Sequence, residues 1–469
     1  MKSPETRLAT GTRDEGPDSP AVARHAWDPS PHFARPGDPL REAFAGRRPL
    51  VPWLGGEPVA AQALASTWAE LRSVARTRSA VAYVHVPFCA GHCTFCGFYR
   101  NGAGHPSRAT YHALVEAELR LDSERALRSG PPIEALYFGG GTPTELDASA
   151  LASLIGSARA QLPLADGAEI TLEARVLHCD VEKLRACIDA GVSRISVGVQ
   201  SFDTDVRHGL GRRADSTTLL AFLTELRGLS RAALVIDLIL GLPGQTMDVW
   251  RRDLETCLDL RPDGVDLYAL SLHPGVPLFQ MVQRGTCAPS APVGVQADMY
   301  ATGVETLERA GWEQLTQAHF ASSPRERNVY NRRIKAGVDC IAFGAGAGGT
   351  HAGFSYVIEP DLGTYEETLR RGERPLARLA RRVPTYEIEG HVADGIERGR
   401  LDLAPIDATD RGFCARADRL LEQWRKAGLI ERDGSSVAPT IAGRFWQSNL
   451  ITGLIECIRA GETREGESS

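Results

Sequence analysis

The sequence predicts an α/β protein, a partial (β/α)6 TIM-like barrel followed by a small α+β, winged-helix-like domain. Three observations carry this. Between residues 80 and 270, apolar stretches of strand length alternate with stretches of helical period, the pattern of a parallel sheet with crossover helices. Polar and glycine-rich residues gather at the carboxyl ends of those strands, where such folds keep their chemistry. After about residue 365 the alternation stops, and helical periods and one short hairpin take over. The 469 residues suffice for one large and one smaller unit.

The first 50 residues are rich in Pro, Gly, Arg and Asp, lack periodicity, and are expected to be disordered. An amphipathic helix is expected over 61–74. The β/α alternation then opens with a strand at 80–86, stopped by Pro87, and a helix at 111–127. A strand at 133–138 runs into Gly139-Gly140-Gly141 and is followed by a helix at 148–161. The remaining pairs are strand 169–173 with helix 182–190, strand 194–199 with helix 217–226, and strand 233–240 with helix 247–258. Strand 264–270 closes the series. Right-handed crossovers curl such a sheet toward a barrel. The expected units are therefore 1–50, a barrel with its N-terminal extension over 51–362, and a C-terminal domain over 363–469 that ends in a short disordered tail. In that last unit Gly428 to Gly434 and a strand at 437–440 form the hairpin.

Composition narrows the function classes. Lys and Arg total 53 against 59 Asp and Glu, a net charge of −6. That balance argues against nucleic acid as main partner, and the C-terminal domain shows no basic recognition helix. No run of 18 apolar residues exists, so no membrane span is expected. The N-terminus lacks an apolar signal core, and its early acidic residues argue against a transit peptide, so a cytoplasmic location is expected.

Three of the ten cysteines cluster, as Cys89-Ala-Gly-His-Cys93-Thr-Phe-Cys96. The other seven are scattered and read as buried, reduced small hydrophobes. The C-x3-C-x2-C run comes directly after a strand. Three thiolates can hold three irons of a [4Fe–4S] cube and leave the fourth open. S-adenosylmethionine (SAM) can chelate that iron, and one electron then cleaves its sulfonium bond to give a 5′-deoxyadenosyl radical. The alternative is a zinc site, but structural zinc takes four ligands and no second cysteine pair lies nearby.

Gly139-Gly140-Gly141-Thr142-Pro143 lets backbone approach a ligand closely, or makes a tight turn. Gly344-Ala-Gly346-Ala-Gly348-Gly349 contains G-x-G-x-x-G, but the next residues, from Thr350 to Tyr356, do not have a helical pattern, so a dinucleotide fingerprint is rejected. A loop closing over the active site is expected there instead. Glu173 and Asp237 lie where strands should be buried and so need partners, with Arg212 or a SAM group as candidates. His319 reads as a hydrogen-bonded loop histidine, with ligation of an iron porphyrin as the alternative. Arg325, Arg327, Arg332, Arg333 and Lys335 form a basic run, either a solvated face or a contact for acidic substrate groups.

Tyr83-Val-His-Val-Pro-Phe-Cys89 with Cys93 and Cys96, Gly139-Gly-Gly-Thr-Pro143, Gly198-Val-Gln200-Ser-Phe202 and Asp237-Leu-Ile-Leu-Gly-Leu-Pro243 together resemble the HemN-like radical SAM family. That family includes the oxygen-independent coproporphyrinogen oxidases. Within it, Cys93-Thr-Phe-Cys96-Gly-Phe-Tyr99, Asp266-Leu-Tyr-Ala-Leu270, Arg325-Glu-Arg-Asn-Val-Tyr-Asn331, Ala342-Phe-Gly-Ala-Gly-Ala-Gly-Gly349 and Gly443-Arg-Phe-Trp-Gln-Ser-Asn-Leu450 resemble the haem-utilisation branch of HutW, ChuW and anaerobilin synthase.

The resemblance implies a radical SAM barrel and a methyltransferase that opens haem without oxygen, giving a linear tetrapyrrole (anaerobilin) and free iron. It implies the cluster on Cys89, Cys93 and Cys96, two SAM molecules, and an electron donor such as flavodoxin or ferredoxin. Tyr83 and Phe95 would flank SAM. Gly140, Gly141, Thr142, Glu173, Gln200, Arg212 and Asp237 would contact it, with Ser271 nearby. Coproporphyrinogen oxidases carry a further cysteine where this chain has Phe98, and HemW-type haem chaperones carry an acidic residue where it has Gly97. Both departures favour haem opening over those two alternatives.

Overall fold

The computed structural model describes residues 27–48, 56–98, 101–121 and 125–465. Among the described residues, seven parallel strands form the core: β1 (Ala80–Val86), β2 (Ile133–Gly140), β3 (Leu164–Ala174), β4 (Arg194–Gln200), β5 (Ala233–Leu240), β6 (Gly264–Ala269) and, beyond β7 (His319–Ala321), β8 (Asp339–Phe343). Their order is β8-β1-β2-β3-β4-β5-β6. Antiparallel strands extend both edges. β9 (Gly348–His351), β10 (Phe354–Ile358) and β11 (Leu376–Arg381) continue the sheet past β8, and β7 pairs with β6. Among the described residues the sheet keeps two edges.

The six strands read from the sequence are present, and β8 is a seventh. Its five residues follow the short helix Val329–Lys335, and its parallel neighbour β1 lies far back in the chain. Tertiary pairing alone reveals it.

β5 illustrates why the strands form. In Ala-Leu-Val-Ile-Asp-Leu-Ile-Leu every residue except Asp237 is buried, the mark of a strand covered on both faces. The crossover helices α3 (Ala148–Gln161), α4 (Val181–Ala190), α5 (Ser216–Gly228) and α6 (Met247–Leu260) match their expected positions within a few residues. They are preceded by α1 (Leu64–Arg72) and α2 (Tyr111–Leu119). Asp180, Asp215 and Thr246 cap α4, α5 and α6 by accepting backbone N–H groups with their side chains. Val249, Trp250, Leu254, Cys257 and Leu260 form the apolar stripe that α6 buries. The helix read over 111–127 is broken: α2 ends at Leu119, and a short turn of helix resumes at Arg125–Arg128.

The expectation of disorder over 1–50 does not extend to residues 27–48. His32, Ala34 and Ala43 are buried against the C-terminal helices. The Trp424 indole donates to the His32 carbonyl at 2.8 Å, and the Trp446 indole donates to Pro39 and Leu40. The remainder of 1–50 lies outside the described residues. The boundary at 363 also shifts. Helices α7 (Val293–Arg309) and α8 (Val329–Lys335) serve the barrel, α9 (Leu362–Arg370) packs beside α2, and β11 still belongs to the main sheet. The separate C-terminal sheet joins Leu401–Asp402 to the hairpin β12 (Ile430–Asp433) and β13 (Ser436–Pro439). Helices α10 (Tyr386–Glu397), α11 (Phe413–Lys426) and α12 (Gln447–Glu465) surround it.

Candidate active site

The carboxyl ends of the parallel strands surround a cavity of about 260 Å³. The loop after β1 brings Cys89, Cys93 and Cys96 to one wall, with Phe95 and Phe98. β2 supplies Gly140 and Gly141 with Thr142, β3 supplies Glu173, β4 supplies Ser196, Gly198 and Gln200, and β5 supplies Asp237 and Ile239. Arg212 reaches in from the segment after the short helix Thr204–Gly209. Of the site residues read from the sequence, all three cysteines and eight others meet here. Tyr83 and Ser271 are not in the lining. Tyr83 sits one layer deeper, its ring 6.2 Å from that of Tyr137, and Ser271 is exposed on the loop after β6. Arg175 and Tyr268 line the cavity but escaped sequence reading. Period-two alternation could have found Tyr268, which lies two residues from Asp266 and inside the Asp266–Leu270 motif.

The cysteine loop is tied down by backbone bonds. Thr94 donates to Leu210, Leu278 donates to Thr94, and Cys96 donates to Cys93. Cys89 and Cys93 are buried. The Cys89 sulfur lies 3.3 Å from the Thr142 hydroxyl, and the Phe98 N–H donates to the Cys96 sulfur at 3.3 Å. Burial pushes the Cys89 thiol up, so a metal ion is what would hold it as thiolate. Among the described residues, no three His, Cys, Asp or Glu side chains converge as ligands of one metal ion.

The glycine triplet is forced by contact. A Cβ on Gly140, whose φ is +115°, would stand 2.7 Å from the His85 ring, and one on Gly141 would stand 2.6 Å from the Phe88 carbonyl oxygen. A Cβ on Gly139 would press on Tyr137 and Glu173. Gln200 adopts φ +74°, a left-handed conformation costly for a residue with a side chain. Among the described residues, its Oε1 is buried without a partner, and so is Nε of Arg212. Strain and unsatisfied buried polar atoms on one wall mark a ligand surface.

The carboxylates behave accordingly. Arg212 is not their partner. It donates to the Gly198 carbonyl at 2.5 Å, lies over the Phe95 ring, and stands beside Cys93. Glu173 accepts instead from the Tyr137 hydroxyl at 2.8 Å, and Asp237 from the Ser196 hydroxyl at 3.1 Å. Burial raises Glu173 to about 7, opposed by the Tyr137 bond, and raises Asp237 to about 6, helped by the neighbouring Asp266. Among the described residues, neither has a cation at bonding distance, so a cationic or hydroxyl-bearing ligand is what would complete them.

His319 lies on β7 and is fully buried, with both ring nitrogens engaged. Nδ1 faces Asp266 at 2.7 Å and Nε2 faces Glu326 at 3.0 Å. Ligation of a porphyrin iron is thereby excluded. The Gly344–Gly349 run does not cover the cavity. It packs inward, its Gly344 N–H donating to Glu118 and its Ala345 N–H to Tyr111, and it leads into strand β9. Most of the basic run is engaged elsewhere. Arg333 pairs with Glu134, Lys335 with Glu397, Arg325 with Asp263, and Arg327 donates to the Gly167 carbonyl.

Residues 83–257 match the Radical SAM superfamily. Anaerobilin synthase of Escherichia coli O157:H7 is 39% identical over 93% of this chain and 97% of its own length. Heme chaperone HemW of Bacillus subtilis is 29% identical over 78% of this chain and 96% of its own. The solved structure of coproporphyrinogen III oxidase (HemN) from Escherichia coli superposes with a TM-score of 0.73 at 23% identity, covering 88% of this chain and 96% of that one, which shows a shared fold. No helix among the described residues is long and apolar enough to cross a membrane.

Proposed function

From a chain that belongs to the radical SAM superfamily, in the family of anaerobilin synthase, we propose an enzyme that opens haem anaerobically to a linear tetrapyrrole and releases its iron. The observation that carries this is the near full-length similarity to anaerobilin synthase. The chain is a radical SAM enzyme, and its cofactors are a [4Fe–4S] cluster and SAM. The residues around the cavity fit both: three thiols on one loop, glycines that admit a ligand against backbone, and orphaned polar atoms on Gln200 and Arg212.

Cys89, Cys93 and Cys96 would hold the cluster, which when bound supplies the electron for reductive SAM cleavage. Gly140, Gly141 and Thr142 shape the wall beside it. Glu173 and Asp237 present carboxylates to the ammonium and ribose hydroxyls of SAM, Gln200 and Arg212 offer their free polar atoms, and Phe95 supplies an apolar wall. Phe98, 72% exposed at the cavity rim, is a platform for a flat macrocycle. Methyl transfer with a second SAM, a flavodoxin or ferredoxin as donor, and a cytoplasmic location belong to the same reading.

The test is anaerobic incubation of the cluster-loaded protein with SAM, reductant and haem. Loss of the Soret band with iron release and a methylated product is the expected result. Haem that stays bound and intact would overturn the reading in favour of a HemW-like carrier, and decarboxylation of coproporphyrinogen would overturn it in favour of an oxidase.

A further inference from the structure

Beneath the cavity the barrel interior holds a line of buried charge that no binding or catalytic role yet uses. Arg194 on β4 donates through Nε to both oxygens of Glu326, at 2.9 and 3.1 Å. Glu326 meets His319 Nε2 at 3.0 Å, and His319 Nδ1 meets Asp266 at 2.7 Å. Asp266 on β6 is the register partner of Asp237 on β5. A line of alternating charge thus ends one strand short of the cavity wall. Arg194, Asp266, His319 and Glu326 are all buried. Ion pairs in such surroundings are poorly screened, so a charge there is felt by its neighbour's neighbour.

We infer that His319 is a positioning residue: held as a cation between Asp266 and Glu326, it neutralises Asp266 and thereby keeps the Asp237 carboxylate charged and ready for SAM. This rests on the reading of Asp237 as a SAM contact. Without the imidazolium, Asp237 faces the uncompensated charge of Asp266 on the neighbouring strand, and a like charge alongside disfavours its ionisation. The groups facing Asp237 are Ser196 and Arg194 from β4, Asp266 and Tyr268 from β6, Glu173 from β3, Tyr137 from β2, His319 from β7, and Arg212. Asp266 and Glu173 are the acids among them; Arg194 and His319 are cations that oppose Asp266, and His319 does so by direct contact at 2.7 Å.

The experiment is SAM affinity against pH, by equilibrium dialysis of the anaerobic, cluster-loaded protein between about pH 5 and 9. Wild type should lose affinity as pH falls through about 7 and then about 6, where Glu173 and then Asp237 take up protons; the lower step is the one that reads Asp237. His319→Gln removes the charge and keeps a donor for only one of the two carboxylates. It should move that midpoint upward by about one pH unit, with affinity recovered at alkaline pH. Asp266→Asn should move the midpoint downward, and His319→Gln with Asp266→Asn should follow Asp266→Asn alone. Glu173 titrates in all of these variants, so the differences read Asp237. An unmoved midpoint in His319→Gln, or a loss of affinity equal at every pH, would overturn the inference. An unmoved midpoint in Asp266→Asn would do so without touching the histidine. Asp237→Asn separates the two failures: wild-type affinity there means that the SAM reading itself is wrong.

Discussion

The two ends of the barrel interior treat buried charge in opposite ways. At the inner end, Arg194, Glu326, His319 and Asp266 each meet an opposite charge at bonding distance. At the cavity end, Glu173 and Asp237 have hydroxyl or backbone donors and, among the described residues, no cation at bonding distance; Gln200 and Arg212 keep orphaned atoms, and Gln200 is backbone-strained. The difference separates charge that the fold completes from charge that waits for a ligand. His319 is raised to about 9 by its two carboxylates, while Glu173 is raised to about 7 chiefly by burial. Folding stabilises one charge and disfavours the other.

The sharpest way to break this contrast is at the cavity end. Cys93→Ala should reduce 5′-deoxyadenosine formation to background and lower bound iron, while the thermal midpoint of the metal-free protein stays near wild type. Wild-type product formation would remove the cysteines from the site.

At the inner end the loss should be structural. His319→Leu leaves Asp266 and Glu326 without their shared cation and should cost about 3–5 kcal/mol in urea unfolding at pH 6. The folded value of about 9 lies above the ordinary 6.5, so the imidazolium stabilises fully below pH 6.5 and loses this as pH rises through 9. The gap between variant and wild type should therefore narrow in alkali.

Glu173→Gln should do the reverse. Its folded value of about 7 exceeds the ordinary carboxyl value of 4.5, so ionisation penalises the fold from about pH 4.5 and fully above 7. The SAM-free variant should gain about 2 kcal/mol at pH 8, less than the full shift because the cavity admits water, and nothing at about pH 4. It should also bind SAM more weakly. A variant no more stable at pH 8 would mean that Glu173 is already satisfied.

The smallest effect belongs to the rim. Phe98→Ala should leave stability within about 0.5 kcal/mol and weaken haem binding severalfold, about 1 kcal/mol of stacking. Unchanged haem affinity would move the substrate platform elsewhere.

The cysteine loop, the glycine triplet and the acids at strand ends were legible because each depends on local spacing: three thiols within eight residues, glycines after a strand, and a carboxylate interrupting an apolar run. Period-two and period-3.6 patterns located the six strands and their helices for the same reason. What stayed hidden depends on pairing across the chain. β8 becomes a strand by lying against β1, and residues 27–48 become ordered by packing under Trp424 and Trp446. Arg212 looked like the partner of two acids but turns to Gly198 and Cys93. His319 reads as a hydrogen-bonded loop histidine; it is hydrogen-bonded, but it lies on a strand. Its two carboxylate partners come from β6 and from the turn before α8, and only the folded chain brings both to one ring. The sequence by itself determined the chemistry the site can hold, since thiols, glycines and carboxylates carry it in their own atoms. The tertiary structure decided which charges are already paired and which await a ligand, because pairing in a low-dielectric interior is a matter of distance between residues far apart in the chain.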